Sequence, residues 1–470
     1  MNKSGFKKAS AFYLFGSLFN KGIAFLTIPI FTRLLSTYDY GVVNTYNAWV
    51  SMVSMAIGFA LHTGIRVAYI DYKSDFKEYT ATTITFTTVV SAIVTAVVLA
   101  AIKIFKIPCN PILVALCLFH SYATAIINDY CYYLMMEYRY KVRTLYMVLP
   151  NFLSVLVSIA TIVFVINDNL YLGRIIPTAV ITFLFGLSAA LLILRGAKTI
   201  FKAEFIKYGL KVSAPLIVHG ISLSILSQSD RTMITALADA SQTGIYGLVY
   251  NFGMLATVIT SSLEGVWVPW FFQSLKERKL EEIHKTATNY INLMTYAMGC
   301  LILVAPEVVK LLAAPDYWEG IVIIPAIVLA NYIIFLYTLY VNIEHFYKKT
   351  IYITINTLIA AITNIILNYI LIPKFGYVAA AYTTVTAYIL SFVLHAKYAK
   401  KLEPDLYPIK TFLRPTAHLL LITIAFYALV DKGIVRWGIM IAYFLLMLYR
   451  ERDEIVAIFP ELTSGFRKKK

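Results

Sequence analysis

Apolar residues run through this chain in fourteen stretches separated by short polar gaps. The stretches lie at about 11–33, 41–65, 81–102, 111–136, 144–166, 170–194, 213–237, 244–273, 287–309, 321–343, 350–372, 376–396, 411–430 and 434–449. At a rise of ~1.5 Å per residue, a stretch of about 20 residues covers the ~30 Å hydrocarbon core of a bilayer. The pattern therefore predicts an all-α polytopic membrane protein with 14 transmembrane helices.

The polar positions give this array a direction. Most of the 41 Lys and Arg residues fall in the N-terminal tail, the even-numbered gaps and the C-terminal tail. The odd-numbered gaps hold only Arg33, Lys103, Lys106, Lys310, Lys374, Lys432 and Arg436. Because positive residues are retained on the cytoplasmic side, both termini and the basic gaps are expected at the cytoplasmic face of an inner (plasma) membrane. An even number of crossings requires the same arrangement.

Composition narrows the function classes. Sixty per cent of residues are hydrophobic, 14% are charged, and the mean hydropathy is +0.73, which excludes an ordinary soluble domain. The net charge of +16 needs no nucleic acid to explain it, because basic loops beside anionic lipid account for it. Cys109, Cys117, Cys131 and Cys300 have neither paired nor zinc-ligand spacing. Asn20-Lys21 interrupts the first apolar run and no small-residue cleavage site follows, so the first span is expected to remain in the mature protein. External gaps are too short to hold a catalytic domain. The chain contains neither a Gly-Lys dipeptide for a phosphate loop nor an H-E-x-x-H zinc helix. No metal, no cofactor and no bond-making chemistry are expected; the function lies between the helices.

The gap 195–212 is the most basic internal one and divides the spans six to eight. Its alternation of Ile200, Phe201, Phe205, Ile206 and Tyr208 with Lys198, Lys202, Lys207 and Lys211 fits either an amphipathic surface helix or a solvated connector. A repeat accompanies the division: TRLLSTYDYGVVNTYN (32–47) matches TALADASQTGIYGLVYN (235–251), with the same Thr-to-Gly separation. Copies six helices apart share an orientation, so two six-helix bundles related by a pseudo-two-fold along the membrane normal are expected. The expected organisation is an N-terminal lobe at 1–194, a connector at 195–212, a second lobe at 213–400, and two extra C-terminal helices with a basic tail at 401–470.

The segment IPIFTRLLSTYDYGVVNTYNAWVSM (28–52) resembles the opening signature of the bacterial polysaccharide flippases, with a Pro before T-R-L-L and a Tyr-Gly beginning the second helix. SDRTMITALADASQTGIYGLVYNFGMLATVI (229–259) and LNYILIPKFGYVAAAYTTVTAY (367–388) resemble the same family, the latter through its L-I-P-x-x-G-x-x-G-A-A pattern. Ser36 and Ala379 stand where that family usually has Gly, both small-for-small changes. The resemblance covers nearly the whole chain in order. It implies membership of the multidrug, oligosaccharidyl-lipid and polysaccharide exporter superfamily, and movement of an undecaprenyl-pyrophosphate-linked oligosaccharide from the inner to the outer leaflet by alternating access. It further implies polymerase and chain-length proteins of the same pathway as partners. The rival readings are an ion-coupled multidrug exporter, which should carry acidic residues at its centre, and a glycan polymerase, which needs a large external loop.

Charges inside spans are the starting list for function, since each costs ~2.5–3.5 kcal/mol at a helix centre unless it has a partner, water or a ligand. Lys21 lies about ten residues into span 1, ~15 Å along the helix and near the midplane. It is read as a substrate-binding cation that meets the pyrophosphate, or else as a lysine satisfied by polar neighbours such as Asn20. Arg231 lies in span 7 near its outer third, and Arg33 and Arg66 stand at opposite span edges, where the resemblance implies a diphosphate role and interfacial anchoring is the alternative. Asp129, Asp230 and Glu264 are candidates for ion coupling by proton or sodium, or counter-ions for these cations. The 35 tyrosines fit an aromatic belt at span ends better than a sugar-stacking surface.

Overall fold

The computed structural model describes residues 3–450 and Arg452; the basic tail expected at the C-terminus lies otherwise outside the described residues. The described chain is helical throughout: α1 (Lys3–Leu26), α2 (Ile28–Leu34), α3 (Thr37–Gly58), α4 (Leu61–Asp71), α5 (Phe76–Phe105), α6 (Pro111–Met136), α7 (Tyr140–Phe164), α8 (Tyr171–Leu194), α9 (Ala203–Leu237), α10 (Ala240–Lys276), α11 (Leu280–Leu312), α12 (Ile324–Phe346), α13 (Thr350–Leu402), α14 (Lys410–Ala428) and α15 (Gly433–Arg450). Among the described residues, twelve helices are long and apolar enough to cross a membrane. Their outward faces carry the residues that lipid would cover: Val89, Ile93 and Val97, four residues apart on α5, are each more than half exposed.

Two expected spans are broken, and two expected separately run together in α13. Span 1 bends at Thr27, with Pro29 opening α2, because proline supplies no backbone N–H to the preceding turn. Span 2 breaks between α3 and α4, where Phe59 and Ala60 both take left-handed backbone angles. Thr63 Oγ1 donates to the Ala60 carbonyl at 2.7 Å and Ser213 Oγ from α9 donates to it at 3.4 Å, so the break does not leave that carbonyl unsatisfied. Fifty-three residues in α13 would make a rod of ~80 Å, but Gly376 has φ +59 and interrupts the helix there.

Packing divides the chain into two units, 1–244 with 372–376, and 245–371 with 377–470. In the first, α6 packs against α3, α4, α5 and α8; α7 lies between α1 and α8; and α9 lies against α3 and α4. In the second, α11 is central and packs against α12, α14 and α15. Residues 203–212 of the basic gap form the first turns of α9, with Phe205 buried against Tyr72 and Tyr79. Some tyrosines pack in the interior instead: Tyr79, Tyr130, Tyr133 and Tyr146 are buried in one aromatic core of the first unit with Phe76.

The two matched junctions are built alike. Ser36 caps α3, its Oγ accepting the Asp39 N–H at 3.1 Å, and 203 residues on Asp239 accepts the Gln242 N–H at 2.9 Å at the start of α10. Each is a capping arrangement in which the residue at the third helical position also bonds back to the cap. The third residue then ties in another junction: Asp39 Oδ1 accepts the Tyr171 N–H at 3.2 Å, and Gln242 lies against Gly376. The matched glycines touch, since a Cβ on Gly41 would collide with the Ala240 carbonyl and come within 2.9 Å of the Gly244 nitrogen. Backbone cannot yield as a flexible side chain would. Gly41→Ala is therefore expected to destabilise the protein by at least the ~1–3 kcal/mol typical of overpacking, read as a lower midpoint in a thermal aggregation assay of the detergent-solubilised protein; an unchanged midpoint would mean that α3 and α10 can separate at no cost.

Candidate functional site: a polar cavity in the first unit

A cavity of about 370 Å³ lies inside the first unit, among α1, α6, α7 and α8. Helical spacing builds its wall: His120, Thr124, Asn128 and Cys131 follow one face of α6, while Arg143, Met147, Pro150 and Asn151 follow one face of α7. Asn20 closes it from α1, and Thr178 and Thr182 from α8.

Amide bonds hold the wall. Asn20 Nδ2 donates to the Met147 carbonyl at 2.8 Å, and Asn151 Nδ2 donates to Asn20 Oδ1 at 3.2 Å. Tyr146 and Ser188 hydroxyls bond at 2.8 Å and fix α7 to α8. Tyr46 OH and His120 Nδ1 lie 3.3 Å apart and join α3 to α6. The cation of the cavity is Arg143, whose guanidinium stands 4.3 Å over the Tyr13 ring and whose Nε is buried with no hydrogen-bond partner among the described residues. Among the described residues, no Asp or Glu lines the cavity. A guanidinium beside amides and hydroxyls suits an anionic, hydroxyl-rich ligand.

The residues singled out from sequence are placed as follows. Lys21 is half-buried on α1 beside Asn20 and makes no hydrogen bond or ion pair with a described residue; the Asn20 amide is engaged with α7 instead. Arg66 lies within α4 and holds its guanidinium 5.1 Å over the ring of Tyr132, a cavity residue on which His62 also stacks. Asp129 is 2% exposed, next to Asn128 in α6, and its Oδ2 has no hydrogen-bond partner among the described residues. None of these three lines the cavity; Arg66 touches it through the Tyr132 ring. Arg33, exposed on α2, donates to the Pro29 carbonyl at 2.9 Å. Asp230 and Arg231 are buried near the end of α9, where Arg231 donates to the Ser227 carbonyl at 3.0 Å and to Gln228 Oε1 at 2.9 Å. Glu264 belongs to the second unit, in a small cavity with Trp267, Tyr290 and Asn342.

Sequence reasoning missed Arg143 and His120 here, and a further pair in the second unit. There His395 Nδ1 lies 2.9 Å from Glu344 Oε2, both essentially unexposed, with Tyr337 stacked on the imidazole at 5.5 Å. Glu344 and His395 stand at the very ends of expected spans, where a polar residue passes as an interfacial one. Among the described residues, no group of three His, Cys, Asp or Glu is placed to hold a metal ion.

Comparison with known proteins now places the chain. Residues 6–275 match the model of a family described as polysaccharide biosynthesis protein. Lsg locus putative protein 1 of Haemophilus influenzae is 22% identical over 296 residues, covering 60% of this chain and 70% of that protein. The fold is similar to that of the lipid II flippase MurJ in an inward closed conformation, with a TM-score of 0.70 at 15% identity over 95% of this chain and 99% of that one. It is also similar to an inward-facing multidrug resistance MATE family transporter of the MOP superfamily, with a TM-score of 0.62 at 14% identity over 82% and 96% of the two chains. This chain is a multi-pass membrane protein belonging to the polysaccharide biosynthesis protein family, with the fold of MOP-superfamily transporters.

Proposed function

We propose that the protein is a flippase and not a bond-making enzyme, moving an undecaprenyl-pyrophosphate-linked oligosaccharide from the inner to the outer leaflet of the bacterial plasma membrane by alternating access. The observation that carries this reading is the acid-free cavity lined by Arg143, His120 and amides, in a chain of a polysaccharide biosynthesis family. The cation answers the phosphates; the amides and hydroxyls answer the sugar. An exporter of cationic drugs would place a carboxylate there. Lys21, Arg33, Arg66 and Arg231 add attraction along the route, and Asp129, Asp230 and Glu264 couple it to an ion gradient. Both termini face the cytoplasm in this reading. Fourteen crossings follow if α9, whose Asp230 and Arg231 make it less apolar, and the two arms of α13 are each counted. The like-built junctions at Ser36 and Asp239 are what two copies of a six-helix unit would leave.

Deleting the gene tests the reading. Lipid-linked oligosaccharide is expected to accumulate on the cytoplasmic leaflet, reachable only by probes that enter the cell, and to return outward when the wild-type chain is restored. Unchanged delivery to the outer leaflet in the deletion strain, with no second copy of the gene, would overturn it.

A further inference from the structure

A second cavity, of about 820 Å³, lies wholly within the second unit between α11 and α14, with Arg450 at the end of α15 beside it. Its lining follows two helical faces. On α11, His284, Thr288 and Asn292 stand four residues apart and lead to Tyr296; on α14, Lys410, Arg414 and His418 do the same. From His284 to Tyr296 the wall extends ~18 Å along the helix axis, more than half of a ~30 Å hydrocarbon core. His284 Nε2 and Thr411 Oγ1 lie 3.0 Å apart and bridge the two helices, yet the cleft remains open beside them.

The charge of this cleft is one-sided. Lys410, Arg414 and Arg450 bring three permanent cations, and among the described residues no Asp or Glu lines it. Both α11 and α14 begin at this end, so the positive ends of two helix dipoles add to the same potential. Basic residues that only mark topology sit on loops in water, whereas Arg414 and His418 stand one and two turns inside α14. Lys410, Arg414 and Arg450 are all exposed, and like charges gathered on one cleft favour an anion between them.

We propose that this cleft binds the phosphate headgroup of a membrane lipid, with Lys410, Arg414 and Arg450 holding the phosphate and Thr288 and Asn292 bonding hydroxyl or ester oxygens below it. Two kinds of lipid carry this chemistry, a bulk anionic phospholipid and a polyprenyl phosphate. The cleft shares no lining residue with the Arg143 cavity; its phosphate binding stands without the transport reading, and only assignment to the carrier rests on it.

The test is native mass spectrometry of the full-length protein in detergent, titrated in parallel with phosphatidylglycerol, undecaprenyl phosphate and uncharged diacylglycerol. Wild type is expected to hold one or both phosphate lipids and not diacylglycerol. The Lys410→Gln/Arg414→Gln variant is expected to hold them at least tenfold more weakly, and Lys410→Arg/Arg414→Lys, which keeps both charges, to bind within a few-fold of wild type. Retention of phosphatidylglycerol assigns the site to bulk lipid, and retention of undecaprenyl phosphate alone assigns it to the carrier. Equal binding by wild type and the glutamine variant, with both eluting as the same monodisperse species, would overturn the proposal.

Discussion

Arg143→Ala is expected to lower export of the lipid-linked oligosaccharide by tenfold or more while the protein still accumulates in the membrane. The guanidinium is the fixed cation of the first-unit cavity, and hydrogen bonds to a charged group are each worth ~1.5–3 kcal/mol, or about 10–100-fold in an equilibrium constant. Its Nε has no hydrogen-bond partner among the described residues, so removing it breaks none of their hydrogen bonds at that atom and stability should change little. Arg143→Lys keeps the charge but not the fork, and is expected to restore part of the loss. Lys21→Ala should reduce export as well, because Lys21 adjoins the Asn20 wall without being tied to it. The measurement is initial outward movement of a fluorescent lipid-linked oligosaccharide in proteoliposomes at equal protein density. Wild-type rates for Arg143→Ala would remove the cavity from the pathway.

That Arg143 escaped the sequence reading has a physical reason. The alternation of basic gaps is a statement about which side of the membrane a loop occupies, and Arg143 belongs to the run Arg139, Lys141 and Arg143 that topology explains. Only the helical register of α7, with Arg143 four residues before Met147 and eight before Asn151, turns it toward the cavity wall. Arg414 was concealed in the same way as one more cytoplasmic charge. Hydropathy reads depth but not direction around a helix axis.

The junctions were more legible because their chemistry is local. Ser36 with Asp39, and Asp239 with Gln242, are cap pairs three residues apart, and the small residues Gly41 and Gly244 follow at fixed offsets. The break between α3 and α4 was not legible. Phe59 and Ala60 take angles that a sequence would assign to glycine, and Thr63 and the distant Ser213 are what answer the exposed carbonyl. A partner 153 residues away leaves no trace in a local pattern.

Asp129→Asn is expected to leave the protein folded and able to bind its lipid-linked substrate, yet to abolish the acceleration of export by an imposed ion gradient. Asp129 is almost wholly buried beside the aromatic core that contains Tyr130 and Tyr133, and its Oδ2 accepts no hydrogen bond from a described residue. Tyr79, whose hydroxyl is likewise unpartnered, lies within reach of its charge. A carboxylate so placed carries an uncompensated desolvation cost of several kcal/mol, which a proton or a small cation offsets when it binds. The amide keeps the shape but can neither take up a proton nor neutralise a cation, so the gradient has nothing to act on. A purely structural Asp129 predicts the reverse: lower thermal stability for Asp129→Asn, with the surviving protein still responding to the gradient. Transport rates measured with and without proton and sodium gradients, beside the melting midpoint, separate the two. Loss of gradient response at an unchanged midpoint assigns coupling to Asp129; a retained response returns that role to Asp230, Glu264 or the Glu344–His395 pair.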